Sequence, residues 1–197
     1  MATPSAAEGV PNFAKNFYDL GMSITSQARR LARLLAEREE KIAFAESCTG
    51  GLVAGALTKI PGISQHLCGG VVTYRNETKT AYLGISADVL KKPGPVSAEV
   101  ARLMVEGVLQ MTPEATIAAA VTGHLGPNAP KRLDGVVFIA VKWRGRPASP
   151  YTFEVVVTRL RLDPAASRFE RQKQAVEATL QAAASVLSAL RDPFFNR

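Results

Sequence analysis

Apolar residues along the chain fall into two patterns, which predict different elements. Stripes that recur every three to four residues are typical of amphipathic helices, and short continuous apolar runs are typical of buried strands. The stripes predict helices over residues 23–40, 52–59, 76–83 and 98–111, a helical turn over 86–91, and a long helix that starts at Pro164. The runs predict strands over residues 42–45, 69–74, 115–121, 136–143 and 152–159.

The order of these elements predicts an α/β fold. Helices alternate with strands early in the chain, and a strand pair and a closing helix follow. This order favours a mixed, mostly parallel sheet of about five strands, covered by helices on both faces. Residues 1–22 are predicted to be an N-terminal extension, residues 23–191 the folded domain, and residues 192–197 a tail.

Composition supports one globular domain. The chain has 197 residues, of which 47% are hydrophobic, which is enough for a substantial core. Its apolar runs are shorter than the roughly 20 residues of a membrane-spanning helix, and its first residues lack the pattern of a secretory signal. We therefore expect a cytoplasmic protein. Cys48 and Cys68 allow at most one disulfide and no four-cysteine metal site.

The net charge of +7 does not by itself indicate nucleic-acid binding. Basic residues are interleaved with acidic ones, since Arg30 and Arg33 share a predicted helix with Glu37 and Glu39. Mixed charge on a helix is typical of solvated surface. A nucleic-acid partner is thus a minor alternative, and the charge also suits a phosphorylated small substrate.

Residues 45–51, Ala-Glu-Ser-Cys-Thr-Gly-Gly, are the first candidate for chemistry. A serine placed between a strand and a helix can attack an acyl carbon while nearby amides stabilise the oxyanion. The backbone amides of Cys48, Thr49 and Gly50 are the candidate donors. The alternative is a structural turn in which Ser47 or Thr49 caps the helix. Cys48 itself is expected to be a small buried residue rather than a thiol nucleophile.

Residues 72–79, Val-Thr-Tyr-Arg-Asn-Glu-Thr-Lys, are the second candidate. Tyr74 is predicted to end a strand, and Lys79 to lie about one turn into a helix. A lysine whose pKa is lowered by burial can deprotonate a serine. The alternative makes Tyr74 a strand-end aromatic residue and Lys79 a solvated helix residue.

Together these two strings, with Val96 and Ser97 downstream, resemble the C-terminal domain of the competence/damage-inducible protein CinA. That domain also occurs alone as nicotinamide mononucleotide deamidase. The resemblance implies a three-layer α/β/α fold and hydrolysis of the carboxamide of nicotinamide mononucleotide to nicotinic acid mononucleotide and ammonia. It implies no metal or organic cofactor, a small-molecule nucleotide as substrate, and a homo-oligomer, dimeric or higher.

The resemblance also implies roles for individual residues. Ser47 would be the nucleophile, Lys79 the general base that takes its proton, and Tyr74 a residue that orients or relays. The expected substrate contacts are Cys48, Thr49, Gly50, Gly51, Asn76, Thr122, Gly123 and His124.

The third family segment is where the chain departs from the pattern. In the loop over residues 122–135, family members typically have alanine at Leu125, glycines at Asn128 and Ala129, and Pro-Val-Gly at residues 133–135. Leu125 is expected to crowd a loop that approaches the ligand, and His124 adds a group that titrates near neutral pH. An alternative function follows: a catalytically weak or inactive member that binds a nucleotide and acts in regulation.

Overall fold

The computed structural model describes residues 23–144 and 155–190. In these ranges the helices are α1 (Ile24–Glu37), α2 (Leu52–Leu57), α3 (Asn76–Leu83), α4 (Ala87–Lys91), α5 (Ala98–Met111) and α6 (Arg168–Ala189). The strands are β1 (Ile42–Glu46), β2 (Leu67–Val72), β3 (Ile117–Gly123), β4 (Val136–Trp143) and β5 (Val156–Arg161). The N-terminal extension, the tail and the start of the predicted strand at 152–159 lie outside the described residues.

The five strands form one sheet in the order β2-β1-β3-β4-β5. Strand β1 pairs in parallel with β2 and β3, whereas β4 pairs antiparallel with β3 and β5. Within the described ranges, β4 thus runs against the other strands. The predicted mixed sheet of five strands is confirmed.

Two apolar layers cover the sheet. Side chains alternate across a strand, so Ile42 and Phe44 join the layer under α1, α2 and α6, and Ala43 and Ala45 face α5. All five residues of β1 are buried, as expected for a strand inside a covered sheet. The expected three-layer α/β/α arrangement is therefore confirmed. None of the helices in the described ranges has the length and apolar character that a membrane span requires.

Several element boundaries differ from the sequence-based expectation, and three of these differences bear on the candidate site. Strand β2 ends at Val72, so Tyr74 lies beyond it. Strand β3 continues to Gly123, which pairs with Val137, so Thr122 and Gly123 belong to a strand and not to the predicted loop. Helix α6 begins after Ser167, whose hydroxyl accepts from the Glu170 amide, and not at Pro164. In each case a pairing or cap contact, rather than local composition, sets the boundary.

Helices α3 and α5 pack with almost no space between them at Gly107. A methyl group at this position would lie 2.8 Å from the carbonyl oxygen and 3.0 Å from Cβ of Leu83, the last residue of α3. Real Cβ atoms do not approach a backbone oxygen so closely, so glycine is needed here for packing. This contact holds α3, and the side chains it carries, against the sheet.

We predict that Gly107→Ala lowers the free energy of unfolding, because the added methyl group forces α3 and α5 apart. Overpacking of this kind costs about 1–3 kcal/mol. Gly55→Ala in α2 is the matched control, since nothing lies within 4 Å of a Cβ built there. Alanine in a helix is better than glycine by roughly 0.5–1 kcal/mol, so the control should be neutral or more stable. Urea denaturation followed by circular dichroism measures both, and equal stabilities would contradict the packing argument.

Candidate active site

The turn between β1 and α2 is organised by a buried carboxylate. Glu46 is 2% exposed. Its Oε2 accepts from the Thr49 hydroxyl at 2.7 Å, the Gly51 amide at 2.9 Å and the Val53 amide at 3.1 Å, and its Oε1 accepts from the Ala54 amide at 2.9 Å. A carboxylate that accepts helix N-terminal amides is strongly stabilised there. Glu46 thus accepts the helix-start amides, and the expectation that the side chain of Ser47 or Thr49 caps α2 is wrong.

Two glycines let the turn close. Gly50 has φ +64° and Gly51 has φ +96°, in the left-handed region that favours glycine. Gly51 is the N-cap residue of α2 and has no side chain to cap with, which leaves this task to Glu46. The backbone amides of Cys48 and Thr49 donate to no other residue in the described ranges, whereas the Gly50 amide donates to Ser47 O. Cys48 and Thr49 are thus the residues of this turn whose amides have no acceptor on another described residue.

Ser47 and Lys79 meet below this turn. Ser47 is 7% exposed, and its amide donates to Val121 O at 3.0 Å, which ties it to the end of β3. Lys79 on α3 is 2% exposed, and its Nζ lies 3.1 Å from Ser47 Oγ and 2.6 Å from Thr73 O. The alternative of a solvated Lys79 is wrong.

The Lys79 amine is buried with neutral partners. Among the described residues, its hydrogen-bond partners are a hydroxyl and a carbonyl oxygen. Burial disfavours the charged form of an amine and lowers the pKa of Lys79 to about 8. A substantial fraction of this lysine is therefore neutral near physiological pH, and a neutral amine can accept a proton.

Cys48 does not fit the role of nucleophile. Its side chain is 4% exposed, and burial raises the pKa of the Cys48 thiol to about 12. The thiolate is the reactive form of cysteine, so this thiol is inert near neutral pH. The expectation of a small buried residue is confirmed.

Tyr74 lies at the protein surface. Its ring is 58% exposed, and its hydroxyl accepts from Arg168 Nη2 at 3.0 Å. Within the described ranges, no hydrogen bond joins this hydroxyl to Ser47 or Lys79. Asn76, the first residue of α3, is also exposed nearby in sequence. The structure thus brings Ser47 and Lys79 together and leaves Tyr74 and Asn76 on the solvent side.

Residues 122–125, which begin the third predicted segment, are closely packed against neighbouring elements. The Thr122 hydroxyl donates to Pro95 O at 2.8 Å, and a Cβ on Gly123 would lie 2.3 Å from Val137 Cγ1. His124 is partly buried, which lowers its pKa, with Asp134 opposing the shift. Leu125 is 3% exposed and belongs to the core layer under α6. The Leu125 side chain therefore packs into the protein, and its expected crowding of the loop stays a prediction.

Helix α6 supplies three residues that the sequence did not single out. Gln172 Nε2 donates to Cys48 O at 3.1 Å, and Arg168 donates to Tyr74 and to Gly126 O. Arg171 is 6% exposed and donates to Asp134 Oδ1 at 2.9 Å and to Leu125 O at 3.4 Å. The start of α6 thus contacts all three predicted segments. The sequence does carry a signal that could have identified these three residues. It is a run of polar residues on the first turns of a helix that is otherwise apolar on one side.

We predict that Glu46→Gln destabilises the protein, because the amide group of glutamine places N–H donors against N–H donors at the start of α2. Loss of hydrogen bonds to a buried charged group costs about 1.5–3 kcal/mol each in mutational series, so we expect a loss of about 3 kcal/mol. Thr49→Val, which removes one of the donors to Glu46, should cost about 1 kcal/mol. Chemical denaturation measures both variants. A Glu46→Gln protein as stable as the wild type would show that this carboxylate does not organise the turn.

Comparisons with known proteins identify the family to which this chain is similar. The model of the CinA C-terminal domain matches residues 24–187. A CinA-like protein of Thermotoga neapolitana is 38% identical over 138 residues, which are 69% of this chain and 34% of that protein. The chain spans about a third of the length of the curated relatives it matches.

The described fold matches solved structures over nearly the whole length of those chains. The CinA superfamily protein of Klebsiella pneumoniae has a TM-score of 0.76 and 28% identity, over 85% of this chain and 99% of that one. The competence/damage inducible protein CihA of Agrobacterium tumefaciens has a TM-score of 0.72 and 34% identity, over 86% of this chain and 96% of that one. With the family model matched over almost the whole described domain, this chain belongs to the CinA C-terminal domain family.

Proposed function

We propose that this protein is an amidohydrolase that converts nicotinamide mononucleotide to nicotinic acid mononucleotide and ammonia. The observation that carries the proposal is the contact of 3.1 Å between the buried Lys79 amine and the Ser47 hydroxyl. An unactivated carboxamide is a poor electrophile, so its hydrolysis needs an activated nucleophile and a preformed oxyanion site. The resemblance to nicotinamide mononucleotide deamidase supplies the substrate.

The first step is attack by Ser47 on the carboxamide carbon. Neutral Lys79 donates one N–H to Thr73 O, which leaves its lone pair for the Ser47 hydroxyl proton. As the proton moves to Nζ, Oγ bonds to the carbon and the carbonyl oxygen becomes an oxyanion. The amides of Cys48 and Thr49 are the candidate donors to this oxyanion, since they donate to no other described residue.

The second step releases ammonia. The Lys79 ammonium returns its proton to the leaving nitrogen, the C–N bond breaks, and an acyl ester remains on Ser47. Water then attacks the ester with Lys79 again as base, and the acid product leaves with Ser47 restored. A buried lysine with a lowered pKa can serve in both directions because its two forms are close in free energy.

The remaining predicted residues divide into two groups. Thr49, Gly51 and Thr122 use their hydroxyl or amide within the protein, so in this proposal they shape the site. Tyr74 and Asn76 lie on the solvent side, and we assign them to the substrate rather than to the Lys79 proton path. Gly50, Gly123 and His124 stay predicted substrate contacts. A homo-oligomer and a cytoplasmic location stay predictions.

We predict that Ser47→Ala and Lys79→Met each abolish ammonia release from nicotinamide mononucleotide. Alanine removes the attacking oxygen, and methionine keeps the length of the buried side chain while removing the base. Each substitution should lower kcat/KM by at least about 1000-fold, as for other nucleophile and base deletions. The measurement is ammonia formation by a coupled assay, with circular dichroism to show that the fold persists.

Lys59→Ala is the matched control, because this lysine is exposed at the end of α2 and lies outside the site. It should retain wild-type activity. A Lys79→Met protein that is folded and fully active would overturn the proposed mechanism. A wild-type protein that binds the nucleotide without turnover would favour the regulatory alternative.

We predict that kcat/KM rises with pH up to about 8 and then levels off. Lys79 acts as a base only when neutral, and its pKa is about 8. At one pH unit below a pKa, about a tenth of a base is neutral, so the rate should rise nearly tenfold per unit in that range. Initial rates between about pH 6 and 10, with stability checked at each pH, provide the test. A profile that falls with rising pH would contradict a lysine base.

A further inference from the structure

The turn that carries the nucleophile has one carbonyl group whose partner comes from a distant segment. The carbonyls of Ser47 and Thr49 each accept from the amide three residues ahead, at 3.1 and 3.2 Å. The carbonyl of Cys48, which lies between them, accepts instead from Gln172 Nε2 at 3.1 Å, across 124 positions of sequence. The orientation of the Cys48–Thr49 peptide therefore depends on a side chain of α6.

The Gln172 contact fixes the direction in which the Thr49 amide points. A carbonyl oxygen can only accept, so Gln172 must present its N–H group to Cys48 O. The C=O of Cys48 and the N–H of Thr49 belong to one planar trans peptide unit, in which the two groups point in opposite directions. A carbonyl held towards Gln172 thus turns the Thr49 N–H away from that side chain.

The Thr49 amide is a buried donor that has no acceptor on another described residue. Thr49 itself is fully buried. Buried N–H groups without a partner are rare in folded proteins, because each one costs free energy comparable to a lost hydrogen bond. A donor of this kind, two residues after the proposed nucleophile, suits an oxygen that gains negative charge during the reaction.

The start of α6 gives this contact a rigid support. Arg171, the neighbour of Gln172, is 6% exposed and donates to three backbone carbonyl oxygens and to the Asp134 carboxylate. These hydrogen bonds tie the first turns of α6 to the segment that precedes the helix and to the loop after β3. A side chain that must hold a reacting geometry needs such a fixed backbone behind it.

We propose that Gln172 is a positioning residue for the amide hydrolysis, which holds the Cys48–Thr49 peptide so that the Thr49 amide donates to the oxyanion. This inference rests on the proposed function. Gln172 touches no reacting atom and acts through the peptide. The oxyanion forms only as Ser47 attacks, so the alignment stabilises the transition state more than the bound substrate. Its loss should therefore lower kcat and leave KM nearly unchanged.

The test is a set of substitutions in the full chain, assayed by ammonia release from nicotinamide mononucleotide. Gln172→Met keeps the length of the side chain and removes the donor, so kcat should fall about ten- to hundredfold while KM stays within about twofold. Gln172→Lys, which keeps a donor at similar reach, should recover part of the loss. Gln174→Met is the matched control, because it removes the same group from a glutamine whose Oε1 accepts from the Asp163 amide. It should keep the wild-type kcat.

The pH profile separates a positioning role from a general loosening of the site. The midpoint set by Lys79, near pH 8, should be the same in Gln172→Met, because the lysine stays buried. A midpoint shifted by more than about half a unit would overturn the positioning role. So would a loss that falls on KM as much as on kcat, or a folded Gln172→Met protein whose kcat is within about twofold of the wild type.

A covalent probe tests Gln172 independently of the substrate. A small fluorophosphonate brings a P=O group to the oxyanion position and loses fluoride as Ser47 Oγ bonds to phosphorus, while the hydroxyl proton passes to Lys79. If the wild type releases no ammonia, the proposed function fails, and the rate of this modification decides about Gln172. Mass spectrometry measures the rate, with Ser47→Ala as the negative control. A rate lowered about tenfold or more in Gln172→Met supports the positioning role, and an unchanged rate or an unmodified wild type overturns it.

Discussion

The burial of the Lys79 amine, which has no carboxylate partner among the residues that the structure describes, is the constraint on which the site depends. An ammonium group in such a place is costly, so its proton is bound weakly, and the pKa falls to about 8. The Thr73 carbonyl oxygen and the Ser47 hydroxyl can form hydrogen bonds with both the neutral and the protonated amine. The close packing of α3 on α5 at Gly107 involves Leu83, four residues after Lys79 on the same helix.

Charge around the nucleophile is divided between an inner anion and an outer cation. Glu46 saturates the start of α2, which rigidifies the turn and leaves the amides of Cys48 and Thr49 as the available donors. Arg168 lies at the start of α6, and among the described residues its hydrogen-bond acceptors are neutral oxygens. The start of α6 is what joins the two regions into one site.

Much of the fold could be predicted from sequence because its signals are local. The continuous apolar run at β1, the helical spacing of α5 with its Ser97 cap, and the alternation of elements are properties of short segments. The boundaries that were wrong depend on partners distant in sequence. Val137 extends β3 to Gly123, and the chain leaves the sheet at Val72 before Tyr74. A local pattern carries no information about such partners.

The sequence by itself determined the identities and spacing of Ser47 and Lys79, the glycines of the turn, and through its resemblance the family. Only the tertiary structure decided that Glu46 is the cap of α2, that Leu125 points into the core, and that Arg168 and Gln172 reach the site from the last helix. The physical reason is that burial and charge compensation are properties of contacts between segments. A carboxylate after a strand or an arginine on a helix has its role set by what folds against it.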